Sequence, residues 1–184
     1  MAEDVSSLRA VAHPVRLRML SLLTGTAMSA AEIARELDLT HANASYHLRV
    51  LAEAGEVVEA GEERIRGGVA KRYRHPWDRV RPAPSPDADA DADAGPGARG
   101  EEARETYVRV LAGELVRRFG LRSRRARAHL TDAEVWVSPE VWEQAVALVD
   151  EAARLVHAEA QPPRSAGTVH VNLSAALFSM TRAR

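Results

Sequence analysis

The chain has 184 residues, is 46% hydrophobic and carries a formal net charge of −1, which allows one moderate domain or two small ones with a real core. A near-neutral balance excludes a general polycation, so any attraction to nucleic acid has to come from local positive charge. The absence of cysteine excludes disulfides, thiolate metal sites and a cysteine nucleophile.

No run approaches the ~18 apolar residues of a membrane span. The acidic start MAEDVSSLRA lacks the form of a signal peptide. The expected compartment is the cytoplasm, with no membrane partner.

Leu8, Val11 and Ala12 point to a short first helix, ended at His13-Pro14. Proline fits the first turn of the helix that follows, which carries Val15, Leu17, Met19, Leu20, Leu22 and Leu23 and ends near Gly25. Ser29 to Glu32 has the form of a capping box, in which a hydroxyl and a carboxylate each satisfy a free backbone N–H. Ile33, Ala34 and Leu37 follow as the apolar stripe of a third helix. After a break at 38–40, Thr40 is a good N-cap for a fourth helix reaching about Ala54 and closed by Gly55. Its inner face is Ala44, Leu48 and Leu51, spaced four and three apart. Two extended segments follow, one from Val57 towards Ile65 and one over Val69 to Arg74, with Gly67-Gly68 expected at the hairpin tip.

Residues 81–100, RPAPSPDADADADAGPGARG, hold no large apolar side chain. Ordering them costs entropy with little return, so the segment is expected to be a disordered acidic linker. Asp87, Asp89, Asp91 and Asp93 lack the placed glycine and closing glutamate of a calcium loop. Beyond it, a helix is expected from Glu101 to about Gly120, lined by Val108, Leu111, Leu115 and Phe119. This seam is too apolar for a lone exposed helix and is the dimerisation candidate. A strand over Glu134 to Val137 comes next. A long helix opens at Ser138-Pro139, with a stripe including Val141, Leu148, Ala152 and Leu155, and Pro162-Pro163 stops it. The alternation of Val169, Val171 and Leu173 with His170 and Asn172 reads as a half-buried strand.

The expected fold is thus α+β and mostly helical. A winged helix-turn-helix domain spans residues 1–80, a linker 81–100, and a C-terminal helix-strand-helix-strand dimerisation or regulatory region 101–184. A helix fits the major groove of DNA when a preceding helix braces it across the backbone. The fourth helix then presents His41, Asn43, Ser45, Tyr46 and Arg49 outward, with Thr40 at its start. Arg49 is the best candidate for guanine or phosphate. Arg64, Arg66, Lys71 and Arg72 flank the hairpin tip, where a basic ribbon suits backbone or minor-groove contact.

Residues 13–76 resemble the ArsR-like winged-helix regulators. The stretches HPVRLRMLSLL, SAAEIARELDLTHANASYHLRVLAEAGEVVE and GGVAKRYR carry the resemblance. It implies a homodimer that binds an inverted-repeat operator in double-stranded DNA, usually as a repressor, and often responds to a metal or another signal. His47 matches a histidine of that motif, and helix packing is its simpler role. The helix preceding the recognition helix carries no cysteine, so sensing of thiophilic metals is not expected. The histidines show no paired spacing within one helix, and no cofactor is expected. Trp136, Trp142 and Phe178 are read as core of the C-terminal region, the alternative being the lining of a pocket for a small-molecule effector. No phosphate loop, catalytic triad or placed carboxylate pair speaks for an enzyme. The competing function is a winged helix that docks protein and does not bind DNA.

Overall fold

A computed structural model describes residues 2–65, 68–78 and 96–180. The order is α1 (Ala2–Val11), α2 (Pro14–Gly25), β1 (Met28–Ser29), α3 (Ala30–Leu37), α4 (His41–Glu53), β2 (Val58–Ile65), β3 (Gly68–Arg74), α5 (Pro96–Gly120) and α6 (Pro139–Ala158). The strands form an antiparallel sheet in the order β1-β3-β2.

The starts of α2 and α3 have local causes. His13 caps α2, its Nδ1 accepting the Val15 N–H at 3.2 Å, and Pro14 follows in the first turn. At α3, Ser29 Oγ accepts the Glu32 N–H at 3.4 Å and the Glu32 carboxylate accepts the Ser29 N–H at 2.7 Å, completing the capping box. Helix α3 ends at Asp38, which holds a left-handed φ of 54°, a conformation that Asp tolerates better than most residues.

The apolar stripes of α2, α3 and α4 converge. Met19, Leu23, Ile33 and Leu51 are the largest fully buried side chains, joined by Leu17, Leu20, Ala44, Leu48 and Val57. Burying a side chain of this size stabilises by about 1.5–3 kcal/mol. This core fixes α4 by its inner face and leaves its outer face to solvent.

Strand β1, two residues long and not foreseen, pairs Met28 with Tyr73 and Ser29 with Arg72. The hairpin register sets Ile65 opposite Gly68, so Gly68, expected at the tip, is paired in β3. Arg66 and Gly67 lie outside the described residues. A bulge interrupts the ladder between Glu59 and Glu62, where Gly61 adopts a φ of +113° that favours glycine.

The later chain departs from expectation. Helix α5 begins at Pro96 and not at Glu101, so the last residues assigned to the linker are helical. Proline suits a helix start, and buried Gly100 sits against Val5 of α1, a contact that offsets its poor helix propensity. Residues 81–95, including the aspartates weighed as a calcium loop, lie outside the described residues. Residues 134–137 and 168–173 are not strands; within the described residues neither forms a ladder. Alternation produces a half-buried strand only where a neighbouring edge and a covering layer exist, and here Val135, Val169 and Val171 stay exposed. Nor do the aromatics form a core: Trp136 is 92% and Phe178 69% exposed, and Trp142 is half-buried.

The C-terminal region is nevertheless tied to the first domain. The Gly25 backbone meets Gln161 so closely that a Cβ at residue 25 would lie 2.7 Å from the Gln161 carbonyl oxygen. Arg164 pairs with Glu36 at 2.7 Å, and the rings of Trp77 and His157 lie 5.5 Å apart.

Candidate nucleic-acid interface

Helix α4 divides cleanly into two faces. Ala44, His47, Leu48 and Leu51 are buried, whereas His41, Asn43, Tyr46 and Arg49 are exposed and Ser45 is half-buried. Four of the five residues that the sequence placed outward are thus exposed, and Ser45 is partly covered. Thr40 Oγ1 accepts the Asn43 N–H at 3.2 Å, so this oxygen caps the helix while the hydroxyl keeps its proton to donate. The Arg49 guanidinium lies 5.7 Å from the centroid of the Tyr46 ring, within cation–π range. That stack aligns the two largest outward side chains of the helix.

His47 packs inward, as its simpler reading held. Its ring centroid is 4.7 Å from that of His13, and Tyr46 meets it edge-on at 5.3 Å. The recognition-helix candidate is therefore joined ring to ring with the cap of α2. Burial pushes the pKa of both imidazoles down, and the nearby Arg16 cation adds to this. Arg16 is anchored by donating to the Ala10 carbonyl and, at 3.1 Å, to the Arg9 carbonyl. The spatial pairing of His13 with His47 joins residues 34 positions apart and was invisible to a search for spacing within one helix.

The wing is less uniformly basic than its sequence implied. Lys71 Nζ lies 2.6 Å from Glu59, which raises the lysine pKa. Arg72 is engaged more deeply, donating to the Ala27 carbonyl, Glu63 and Glu32. It binds the wing to α3 through Glu32, the carboxylate that also closes the capping box. Arg64 is exposed, and no ion pair holds it among the described residues. Lys71 and Arg64 thus face solvent, whereas Arg72 is a structural tie.

The base of the wing is also held. The His75 N–H donates to the Leu23 carbonyl at 2.9 Å, and its Nδ1 lies 2.6 Å from the Glu56 carbonyl oxygen. Ser7 of α1 donates to the buried Glu56 carboxylate. A wing anchored to both α1 and α2 keeps a set angle to α4.

Helix α5 buries a stripe that the sequence reading missed. Ala103 and Glu114 are buried and Tyr107 and Val110 partly so, facing α1 and α2. Their spacing of four, three and four was detectable, but Glu114 in an apolar stripe concealed it. Glu114 receives Arg18 of α2 at 2.7 Å and Arg117 at 2.8 Å. Burial alone would raise its pKa; the hydrogen bonds from Arg18 and Arg117 outweigh that and hold it down at about 2. Of the proposed dimer seam, Val108, Leu115 and Phe119 are exposed and Leu111 is half-buried. Most of the seam thus stays open to solvent among the described residues, with Leu111 partly covered and the Arg122 guanidinium 3.9 Å over the Phe119 ring.

Residues 11–58 match a family model described as a helix-turn-helix domain. No curated protein matches the chain. The matched span runs from the end of α1 to the start of β2 and contains the α3-turn-α4 unit. The chain carries a helix-turn-helix domain of the kind found in DNA-binding regulators, and among the described residues no helix is long and apolar enough to cross a membrane.

Proposed function

We propose that the protein is a cytoplasmic, sequence-specific transcriptional regulator, related to the ArsR-like winged-helix repressors, that binds an inverted repeat in duplex DNA as a homodimer. The observation that carries this reading is the outer face of α4. Exposed His41, Asn43, Tyr46 and Arg49 stand on a helix whose opposite face is locked into the core. Such a helix offers hydrogen-bonding side chains to base edges without rearrangement, and its free N-terminal N–H groups suit a phosphate. Thr40, Ser45 and the wing residues Arg64, Arg66 and Lys71 extend the contact to the backbone, which supplies much of the affinity. Arg72 is assigned a wing-positioning part.

The exposed Val108, Leu115 and Phe119 face of α5 is the dimer contact in this reading. Two half-sites one duplex turn apart then meet two copies of α4. The protein acts by occupancy of its operator and not by catalysis.

Selection of bound fragments from sheared genomic DNA by the purified full chain tests the proposal. The expected result is enrichment of a single inverted-repeat motif. Uniform recovery of all fragments, or of none, overturns it.

A further inference from the structure

Residues 121–180 hold many large apolar side chains, and none of them is fully buried. Leu148 and Leu155 of α6 are 66% and 64% exposed, and Val169 is 80% exposed. Residues 128–137 and 169–180 make no backbone hydrogen bond with any other segment among the described residues. The polar side of the later segment is held in place: Asn172 Oδ1 accepts from Arg118 of α5 at 3.0 Å. Its neighbours Val171 and Leu173, which alternate with it, are 59% and 44% exposed.

The surface of the whole chain agrees. It exposes 14370 Å², whereas a compact monomer of its 20.1 kDa mass exposes roughly 8,700 Å². Counting every residue outside the described set at the rate of a fully extended chain still leaves an excess on the order of 3,000 Å². An obligate dimer removes about 1,000–2,500 Å² per partner.

We propose that a second copy of this chain completes the fold of residues 121–180. Residues 134–137 and 168–173 pair between copies into an intersubunit sheet, and the apolar stripe of α6 covers one of its faces. A two-fold interface needs one surface that is complementary to itself. This region supplies both required parts, two alternating segments with free backbone groups and an apolar helix stripe to cover them. Reading two half-sites already brings a second copy alongside, so no other protein is needed as the occupant. The inference rests on the homodimer proposed above but uses a surface distinct from the α5 seam.

The lack of cysteine makes single-cysteine variants of the full chain unambiguous. Val169→Cys, Val171→Cys and Leu173→Cys, treated with a short bismaleimide, are expected to give covalent dimers. Hydrogen exchange of 168–173 is expected to be slowed at least ~100-fold relative to unstructured chain and to speed up again in Val171→Asp. Sedimentation of the untreated protein separates the outcomes. A dimer with no cross-link and freely exchanging amides overturns this inference and leaves the α5 dimer standing. Slow exchange without interchain cross-links means that the sheet closes within one chain, which also overturns it. A monomer removes both.

Discussion

On α4, Arg49 stacks on Tyr46, and in the proposed complex this guanidinium faces the base edges. Losing a base contact costs about 1–3 kcal/mol, mostly on the correct sequence. Arg49→Ala is therefore expected to narrow the gap between operator and random duplex in parallel titrations; an equal loss on both would remove Arg49 from the base-reading set. Lys71 is expected to act on all sequences alike. Because Glu59 already neutralises part of its charge, Lys71→Ala should reduce the salt slope by less than the one unit of a free phosphate contact. Glu59→Gln should raise affinity for operator and random DNA together. His13 and His47 predict a pH response. Their depressed pKa values mean that folding favours the neutral rings, as it does for His157. Their stabilising contribution is complete above the unfolded histidine value near 6.5 and is lost as pH falls through the lower folded values. Urea titrations at several pH values should show stability declining below about 6.5, with a shallower decline in His47→Gln.

Among the elements, α5 is tied to α2 by one carboxylate that faces three arginines, Arg18 of α2 and two of its own. Glu114 is 3% exposed, and Arg18, Arg117 and Arg118 surround it. Glu114→Gln removes the charge those cations pair with. A fully buried pair costs about 3–5 kcal/mol to break; these guanidiniums keep access to water, so a loss on the order of 2 kcal/mol is expected in denaturant melts. The wild-type contribution should be present above the unfolded carboxyl value near 4.5 and fade as pH falls towards about 2. This element also marks the limit of what the sequence made legible. Caps and stripes located α2, α3 and α4 because local hydrogen bonds and a shared core obey spacing rules; Ser29, Thr40 and Leu48 each announced their role. The outward residues of α4 followed from the same periodicity. The bulge at Gly61 and the tie from Arg72 to Glu32 depend on pairing across the sheet, which no local pattern carries. The inward stripe of α5 was hidden because its anchor is a glutamate. The strands expected over 134–137 and 168–173 failed within the chain because alternation states a need for a partner without naming one.

For the whole molecule, the proposed reading of an inverted repeat requires two copies of α4 joined at a fixed spacing. Cutting the chain at residue 101 is a poor test. It removes Tyr107, Val110 and Glu114, which pack on α1 and α2, and so disturbs the DNA-binding domain along with any dimer. Point changes on the more exposed face of α5 avoid this, since Leu115 and Phe119 are 42% and 41% exposed and are not members of the buried core cluster. Leu115→Asp places a charge in the centre of the proposed seam, where desolvating an unpaired carboxylate is unfavourable. Sedimentation of this variant should show a shift from dimer to monomer at micromolar concentration, with a melting temperature within a few degrees of the parent. Its binding to a full inverted repeat should fall to the level of a single half-site, because the second domain no longer arrives at the effective concentration set by the dimer. Binding to one isolated half-site should be unchanged, since α4 and its supporting core are untouched. A variant that stays dimeric and keeps full operator affinity would show that the α5 seam does not join the copies. One that loses half-site binding as well would place Leu115 in the support of the DNA-binding domain itself.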